Sequence, residues 1–388
     1  MKLFDKEYDK SPGSPFYDLF FLLVKLYFFR IKKPEYDDRL LGEIKQPCII
    51  LANHESYYDF YYVWQMFKKQ RPNVLINEYY ARLPFLRFFA IHGGALSKKL
   101  FTKEMSTGIK ILRMLKKGYP VILFPEGRLT PDGRTTRMAE SGAGLYRRMN
   151  YDLVLVKIDG AYYSHPKWRK RYYGSKVTVS VKRVIHPEEL KKMSEQELEK
   201  VICDTLYNDA SEFNLVKYPQ KDKAEGLENV LFRCAFCNAK YRTKGKGNTF
   251  RCEACGKELR IDDNYHFTEW PHSIQGYYKA ISVAEKNEAD EATLSMDVTL
   301  KVFGEKGRII KKEKGECRMN KSMLSYHSGS EEFEIPLSEF SGLAFSCNKE
   351  IEFYRGENLY FFYPEKDKVQ VAEWAMFIDL MAERRSGL

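Results

Sequence analysis

The chain lacks any apolar run of the roughly 20 residues that a helix needs to cross a bilayer. Its most apolar stretch, "FYDLFFLLVKLYFFRI" at 16–31, is shorter than that and is interrupted by Lys25. Asp5, Glu7 and Asp9 precede it and no small-residue cleavage site follows, which argues against a signal peptide. A secreted disulfide framework is missing as well. Of eight cysteines, four form two CxxC pairs and four (Cys48, Cys203, Cys317 and Cys347) are scattered, a usage that points to a reducing compartment. The sequence has no GxSxG elbow, so a serine nucleophile on a strained turn is not indicated. No internal repeat stands out. Acid is in deficit: 64 Lys plus Arg stand against 53 Asp plus Glu, a net charge of +11. That excess suits nucleic acid, an anionic membrane or a phosphorylated substrate, and charge alone does not choose.

What is present is enough for two or three domains. The 388 residues are 44% apolar, so wholesale disorder is excluded. Residues 1–35 hold the apolar stretch, for which two readings stand. One is an interfacial helix lying flat, with Lys25, Arg30, Lys32 and Lys33 reaching toward lipid phosphates. The other is a helix packed on the protein's own core. Residues 36–216 alternate short apolar runs with helical segments. "CIILAN" (48–53), "NVLIN" (73–77), "VILFP" (121–125), "LVLVKI" (153–158) and "VTVSVKRV" (177–184) read as strands. The segment 103–117, with Met105, Ile109 and Leu112 at helical spacing, reads as a helix that Gly118 can close. "SEQE" at 194–197 is a capping box that opens another. Strands separated by helices imply an α/β domain with a mixed sheet flanked by helices. The polar 217–229 reads as a linker. Residues 275–388 are β-rich: "SMLSYHS", "EEFEIPL", "EIEFYRG" and "NLYFFYP" read as strands. The chain closes on a helix in which Val371, Trp374, Ile378 and Leu380 can share one face. Several strands and one terminal helix resemble a barrel of the pleckstrin-homology or GRAM type.

"ANHESYYDFYYV" at 52–63 sets His54 five residues before Asp59. Within one ideal helix those positions lie about 140° apart and would not meet. The pair works if His54 sits in the turn that ends the strand, with Asp59 reaching back from the helix that follows. Asp59 then accepts from one ring nitrogen and leaves the other free as a base. Ser56 reads as a helix-start residue. Further on, "VILFPEGRLTPDG" (121–133) runs a strand into Phe124-Pro125-Glu126-Gly127, then Arg128 and Thr130. Strand ends of this kind bind ligands in α/β sheets; Gly127 permits close backbone approach and Arg128 offers a fork for phosphate.

Asn53-His54…Asp59 followed by Phe124-Pro125-Glu126-Gly127 resembles the glycerolipid acyltransferase family, which includes the lysophosphatidic acid acyltransferases. The likeness covers roughly residues 40–185. It implies that His54, steadied by Asp59, removes a proton from an acceptor hydroxyl that attacks an acyl thioester directly, supplied by acyl-CoA or acyl-carrier protein. It further implies that Glu126, Gly127, Arg128 and Thr130 shape the acceptor site, with Lys98 and Lys99 near its phosphate. Three departures bear on the headgroup. Arg128-Leu129-Thr130 replaces the usual Thr-Arg-Ser, closer to the branch acting on lysophosphatidylethanolamine. Lys98 and Lys99 stand near an expected arginine, and "LVLVKIDGAY" (153–162) lacks the usual proline. His92 beside Gly93-Gly94 reads as structural. Tyr57, Tyr58, Tyr61 and Tyr62 line either core or an acyl path. The run 167–183, with seven basic residues and no acid, suits an anionic membrane or a solvated face better than nucleic acid.

Between 230 and 262, Cys234-x2-Cys237 and Cys252-x2-Cys255 flank fourteen residues. Two chelating knuckles supply four thiolates, the shell of a structural Zn2+ in a zinc ribbon, with no open position for catalysis. The expectation is a peripheral enzyme on the cytoplasmic side of a membrane, acylating a lysophospholipid of the 1-acyl-glycerol-3-phosphate or lysophosphatidylethanolamine type. Its partners are membrane lipid and the acyl donor, with a protein partner for the ribbon or C-terminal domain. The rival expectation is a non-catalytic lipid-binding scaffold that recruits partners through those two parts.

Overall fold

The computed structural model describes residues 15–28, 33–83, 86–87, 90, 92–102, 105–138, 142–212, 216–269 and 273–385, without the side chain of Phe16. Asp5, Glu7, Asp9, Arg30 and Lys32 lie outside them. The chain divides into two compact units, one of Met1–Pro166 with Tyr172–Leu215, the other of Lys167–Arg171 with Val216–Leu388.

The first unit is built on a mixed sheet of β1 (Glu35–Asp37), β2 (Cys48–Ala52), β3 (Asn73–Asn77), β4 (Ala95–Lys98), β5 (Val121–Leu123), β6 (Asp152–Asp159) and β7 (Thr178–Ile185). Their order is β1-β7-β6-β2-β5-β3-β4. β2 pairs in parallel with both β5 and β6, whereas β6 and β7 run antiparallel. Successive strand residues face opposite sides, and both sides are covered. Cys48, Ile50 and Ala52 join a core with Tyr62, Trp64 and Phe67 of the helix Asp59–Phe67. Ile49 and Leu51 join another, with Ile111 and Met114 of the helix Met105–Lys116 and Leu198 of the helix Glu195–Leu206. Burial on both faces is why β2 and β6 read as unbroken apolar runs rather than alternating ones. The capping box expected at Ser194 is present: Ser194 and Glu197 each accept the other's backbone N–H.

Two helical faces differ from expectation. In Met105–Lys116, Met105 and Ile109 are exposed, and Thr107, Lys110, Ile111, Met114 and Leu115 face inward. Hydrophobicity and burial part here because the aliphatic stem of Lys110 can lie along the sheet while its ammonium reaches Ser97 at 3.3 Å. In Pro15–Tyr27 one face packs on the protein's own core, as one of the two readings of the apolar stretch had it. Tyr17 and Phe21 are buried, Phe21 stacking on Trp64 at 3.9 Å and Tyr17 accepting from the Trp64 indole at 2.8 Å. Leu19, Leu22, Leu23 and Leu26 face outward. Among the described residues no helix is long and apolar enough to cross a membrane.

In the second unit, β8 (Thr243–Lys246), β9 (Thr249–Cys252) and β10 (Glu258–Arg260) form a small antiparallel sheet; the Cys252–Cys255 knuckle joins β9 to β10, and the Cys234–Cys237 knuckle precedes β8 within the Arg233–Lys240 bridge. The segment 217–229, expected as a linker, is packed chain: Tyr218, Lys223, Ala224 and Leu227 are buried. The Lys223 ammonium donates to the carbonyls of Tyr218 and Gln220 and to Asp263. Gly245 of β8 makes room for it, since a Cβ there would stand 1.8 Å from the Ala224 oxygen. Polar composition misled because buried polar groups are tolerated when each finds a partner.

The β-rich segment begins with a helix, Ile274–Glu288, capped by Ser273. Then follow β11 (Leu294–Phe303), β12 (Ile309–Met319), β13 (Met323–His327), β14 (Glu332–Pro336), β15 (Ala344–Ser346), β16 (Glu350–Arg355) and β17 (Asn358–Pro364). They form one antiparallel sheet in the order β14-β13-β12-β11-β17-β16-β15. The closing helix Gln370–Arg385 is buried on all sides, not only along Val371, Trp374, Ile378 and Leu380. It packs on β15 and β16 and on Ile274–Glu288, so two layers cover it.

Candidate active site

β2 and β5 are parallel neighbours, so their C-terminal ends bring His54 and the Phe124–Gly127 bend to one edge of the sheet. Asn53 fixes the exit from β2. Its side chain accepts from the Ile158 N–H at 2.7 Å and donates to the Ile158 carbonyl at 2.8 Å, continuing the ladder to β6 through an amide side chain. The chain then turns, and the helix starts at Asp59.

Asp59 is fully buried, and its carboxylate meets His54 Nδ1 at 2.9 Å. The backbone N–H groups of Glu55 and Ser56 donate to Oδ2 at 2.6 and 2.8 Å, and the Ser56 hydroxyl donates to Oδ1 at 2.9 Å. Both oxygens already act as acceptors, so Nδ1 is the donor of the His54 pair. The lone pair of the imidazole therefore sits on Nε2. Phe124 stacks on the ring with centroids 4.4 Å apart. Ser56 lies in the turn that opens the helix, as expected, its hydroxyl accepting from the Tyr58 N–H at 3.2 Å, and it also orients Asp59.

Glu126 is buried and grips the same turn. Its Oε1 accepts from the His54 N–H at 2.7 Å, and its Oε2 accepts from the Thr136 N–H and hydroxyl at 2.7 and 2.9 Å. Burial raises its carboxyl to about 7 against the pull of these donors and of His54. Gly127 takes φ +71°, a left-handed conformation that a side chain would strain. Thr130 is buried; its N–H donates to the His54 carbonyl at 3.2 Å. The Thr130 hydroxyl donates to the Arg134 carbonyl at 2.5 Å and accepts from the Gly133 N–H at 3.0 Å, which organises the turn itself. Arg128 lies over the Phe101 ring at 5.8 Å. Lys98 ends β4, two strands beyond β5 at the same sheet edge, and Lys99 beside it is buried.

Sequence reading did not single out Glu55, Thr136 or Asn208. Glu55 is buried and accepts from the Ala161 and Tyr162 N–H groups at 2.8 and 3.0 Å and from the Asn208 side-chain amide. Burial, with the Asp59 and Asp159 carboxylates close by, pushes its carboxyl well above the usual range. Glu55 lies inside the motif and could have been noticed. Asn208, more than 150 residues away, carries no local signal. Of the four tyrosines, Tyr61 and Tyr62 are core, Tyr58 is half-buried and Tyr57 is exposed.

In the other unit the Sγ atoms of Cys234, Cys237, Cys252 and Cys255 all lie within 4.8 Å of one another. Cys234 and Cys255 are 3.9 Å apart, and Cys237 and Cys252 are 3.8 Å apart. Four thiolates around a tetrahedral ion with metal–sulfur bonds of about 2.3 Å would have edges of about 3.8 Å, so the cluster fits such a metal. The Phe236 N–H points at Cys234 Sγ at 3.5 Å, as a thiolate acceptor requires. The knuckles are braced from the side: Arg233 pairs with Glu285 and Glu288, Lys240 with Glu285 and Glu373, and the Ala235 N–H donates to the Tyr277 hydroxyl.

Residues 29–154 match the sequence model of a family described as Acyltransferase. Among solved structures the chain is similar to the 1-acyl-sn-glycerophosphate (LPA) acyltransferase, PlsC, from Thermotoga maritima, at 20% identity and a TM-score of 0.39. That match covers 52% of this chain and 76% of the other. No curated protein matches.

Proposed function

We propose, from the premise that residues 29–154 form an acyltransferase-family domain, that the protein moves a fatty acyl group from an acyl thioester to a lysophospholipid hydroxyl at a membrane surface. The observation that carries this reading is the 2.9 Å contact between His54 Nδ1 and the buried Asp59. Nε2 of His54 takes the proton of the acceptor hydroxyl as its oxygen bonds to the thioester carbon. The C–S bond then breaks, and the leaving thiolate recovers that proton from the imidazolium. General-base assistance of this kind contributes about 10²- to 10⁴-fold. The donor is acyl-CoA or acyl-carrier protein; the acceptor is of the 1-acyl-glycerol-3-phosphate or lysophosphatidylethanolamine type. Lys98, Lys99 and Arg128 supply positive charge for its phosphate, and Gly127 lets it approach the backbone.

The protein sits peripherally, on the cytoplasmic face, through the outward leucines of Pro15–Tyr27. The cysteine cluster holds a structural zinc, and the C-terminal sheet with its helix is a pleckstrin-homology or GRAM-like module that contacts lipid or a protein partner. Purified full-length protein, given a panel of lysophospholipids and one labelled acyl-CoA, is expected to acylate at least one acceptor. His54→Ala should abolish that transfer while the protein remains folded, as circular dichroism would show. Transfer that survives the substitution at the wild-type rate sinks the mechanism.

A further inference from the structure

The hairpin that joins β11 to β12 ends in "GEKGRIIKK", 304–312. In a regular strand, neighbouring side chains point to opposite faces, so one of two adjacent isoleucines would turn inward. Here the register shifts: Val302 pairs with Lys311 and Phe303 with Ile309, leaving Ile310 as the extra residue of a bulge. Bulges re-aim side chains in this way. Ile309 and Ile310 are consequently 50% and 60% exposed together at the tip. Gly304 leaves space beneath Ile310, whose Cγ2 would lie 3.1 Å from a Cβ at that position.

Cations flank the apolar tip along the chain, with Glu305 the one acid between Gly304 and Lys312. Lys306, Arg308 and Lys312 are exposed, and among the described residues none of them forms an ion pair. Lys311 and Lys314, by contrast, are paired with Glu331 and Glu365. Lys312 also stands directly across the ladder from Lys301. Like charges in register are unfavourable. The Tyr363 ring, 4.3 Å from the Lys301 ammonium, softens one side of that pair, and an external anion would relieve the other. Two exposed aliphatic side chains flanked by exposed, unpaired cations match a surface that is anionic outside and apolar beneath. Nucleic acid offers the anions and gives the isoleucines nothing to enter.

We propose that this hairpin tip docks on an anionic lipid bilayer, with Ile309 and Ile310 entering the acyl boundary and Lys306, Arg308 and Lys312 meeting the headgroups. The site belongs to the C-terminal unit and does not depend on the acyl-transfer reading.

The test uses the full chain carrying Ile310→Trp and vesicles of phosphatidylcholine with or without phosphatidylserine. Over the background of the wild-type protein, the introduced indole should shift to the blue and be quenched by brominated acyl chains when phosphatidylserine is present. Sedimentation with vesicles while that indole stays unshifted and unquenched would overturn the proposal, because another surface then does the binding. A second variant, Lys306→Ser with Arg308→Ser and Lys312→Ser, should bind the anionic vesicles about tenfold more weakly or worse, with unchanged melting. Unaltered vesicle affinity, or a loss confined to single-stranded RNA binding, would also overturn it.

Discussion

A histidine whose Nδ1 faces a fully buried carboxylate at 2.9 Å has one nitrogen left for chemistry, and the direction of that hydrogen bond decides which. Asp59→Asn keeps the shape and removes the acceptor preference, allowing the wrong tautomer. Transfer should fall by about 10²- to 10⁴-fold while KM for the acceptor changes little, as steady-state kinetics would register. Glu126 makes a different, pH-dependent prediction. Its carboxyl is raised from 4.5 to about 7. In that interval the unfolded chain has lost a proton that the folded chain keeps, so stability falls as pH rises from about 4.5 to about 7 and then levels. The full span is on the order of 3 kcal/mol. Glu126→Gln should lower stability at acidic pH, since its amide opposes one of the three donors, and should flatten this slope. Urea midpoints measured across the interval would show a slope unchanged from wild type if burial of this carboxyl were not the cause. The motif residues were legible because they follow one another in the sequence. Asn208 was not, because its hydrogen bond to Glu55 is made only when distant segments close over the turn.

Elements were legible where composition and burial coincide. The apolar runs became β2, β3, β5 and β6, since a sheet covered on both faces needs no polar alternation. The helix Ile274–Glu288 escaped notice, because its isoleucines, valine and tyrosines read as readily as strand. Pro15–Tyr27 is the element with two apolar sides, and the sides can be tested apart. Phe21→Ala should cost about 3–5 kcal/mol in thermal or chemical denaturation, because it empties the stack against Trp64. Replacing Leu19, Leu22, Leu23 and Leu26 with serine should leave that stability within about 0.5 kcal/mol, these positions being exposed. The same change should release the protein from neutral lipid vesicles in a flotation assay. Retention of the quadruple variant on the vesicles would assign membrane contact elsewhere.

For the whole molecule, the cysteine cluster and the salt-bridged helices belong to one unit, and the metal should act on all of it. The wild-type chain is expected to bind one equivalent of zinc, and Cys234→Ser with Cys237→Ser to abolish that binding and to lower the melting of the unit that contains β11 to β17. The path of the chain between the two units could not be read from the sequence. Residues 167–171, part of a run expected as a basic surface, contribute to the second unit, where Lys167, Trp168 and Arg169 are buried. Lys167 sits 3.3 Å from the Phe345 ring, and Arg169 lies 5.1 Å from that of Tyr265. The polypeptide thus visits the second unit for five residues and returns before entering it for good at Val216. No single scissile bond separates the two bodies. A protein cut off after residue 215 would keep an indole and two cations made for partners it no longer has, and would be expected to precipitate or bind chaperones for reasons unrelated to its chemistry.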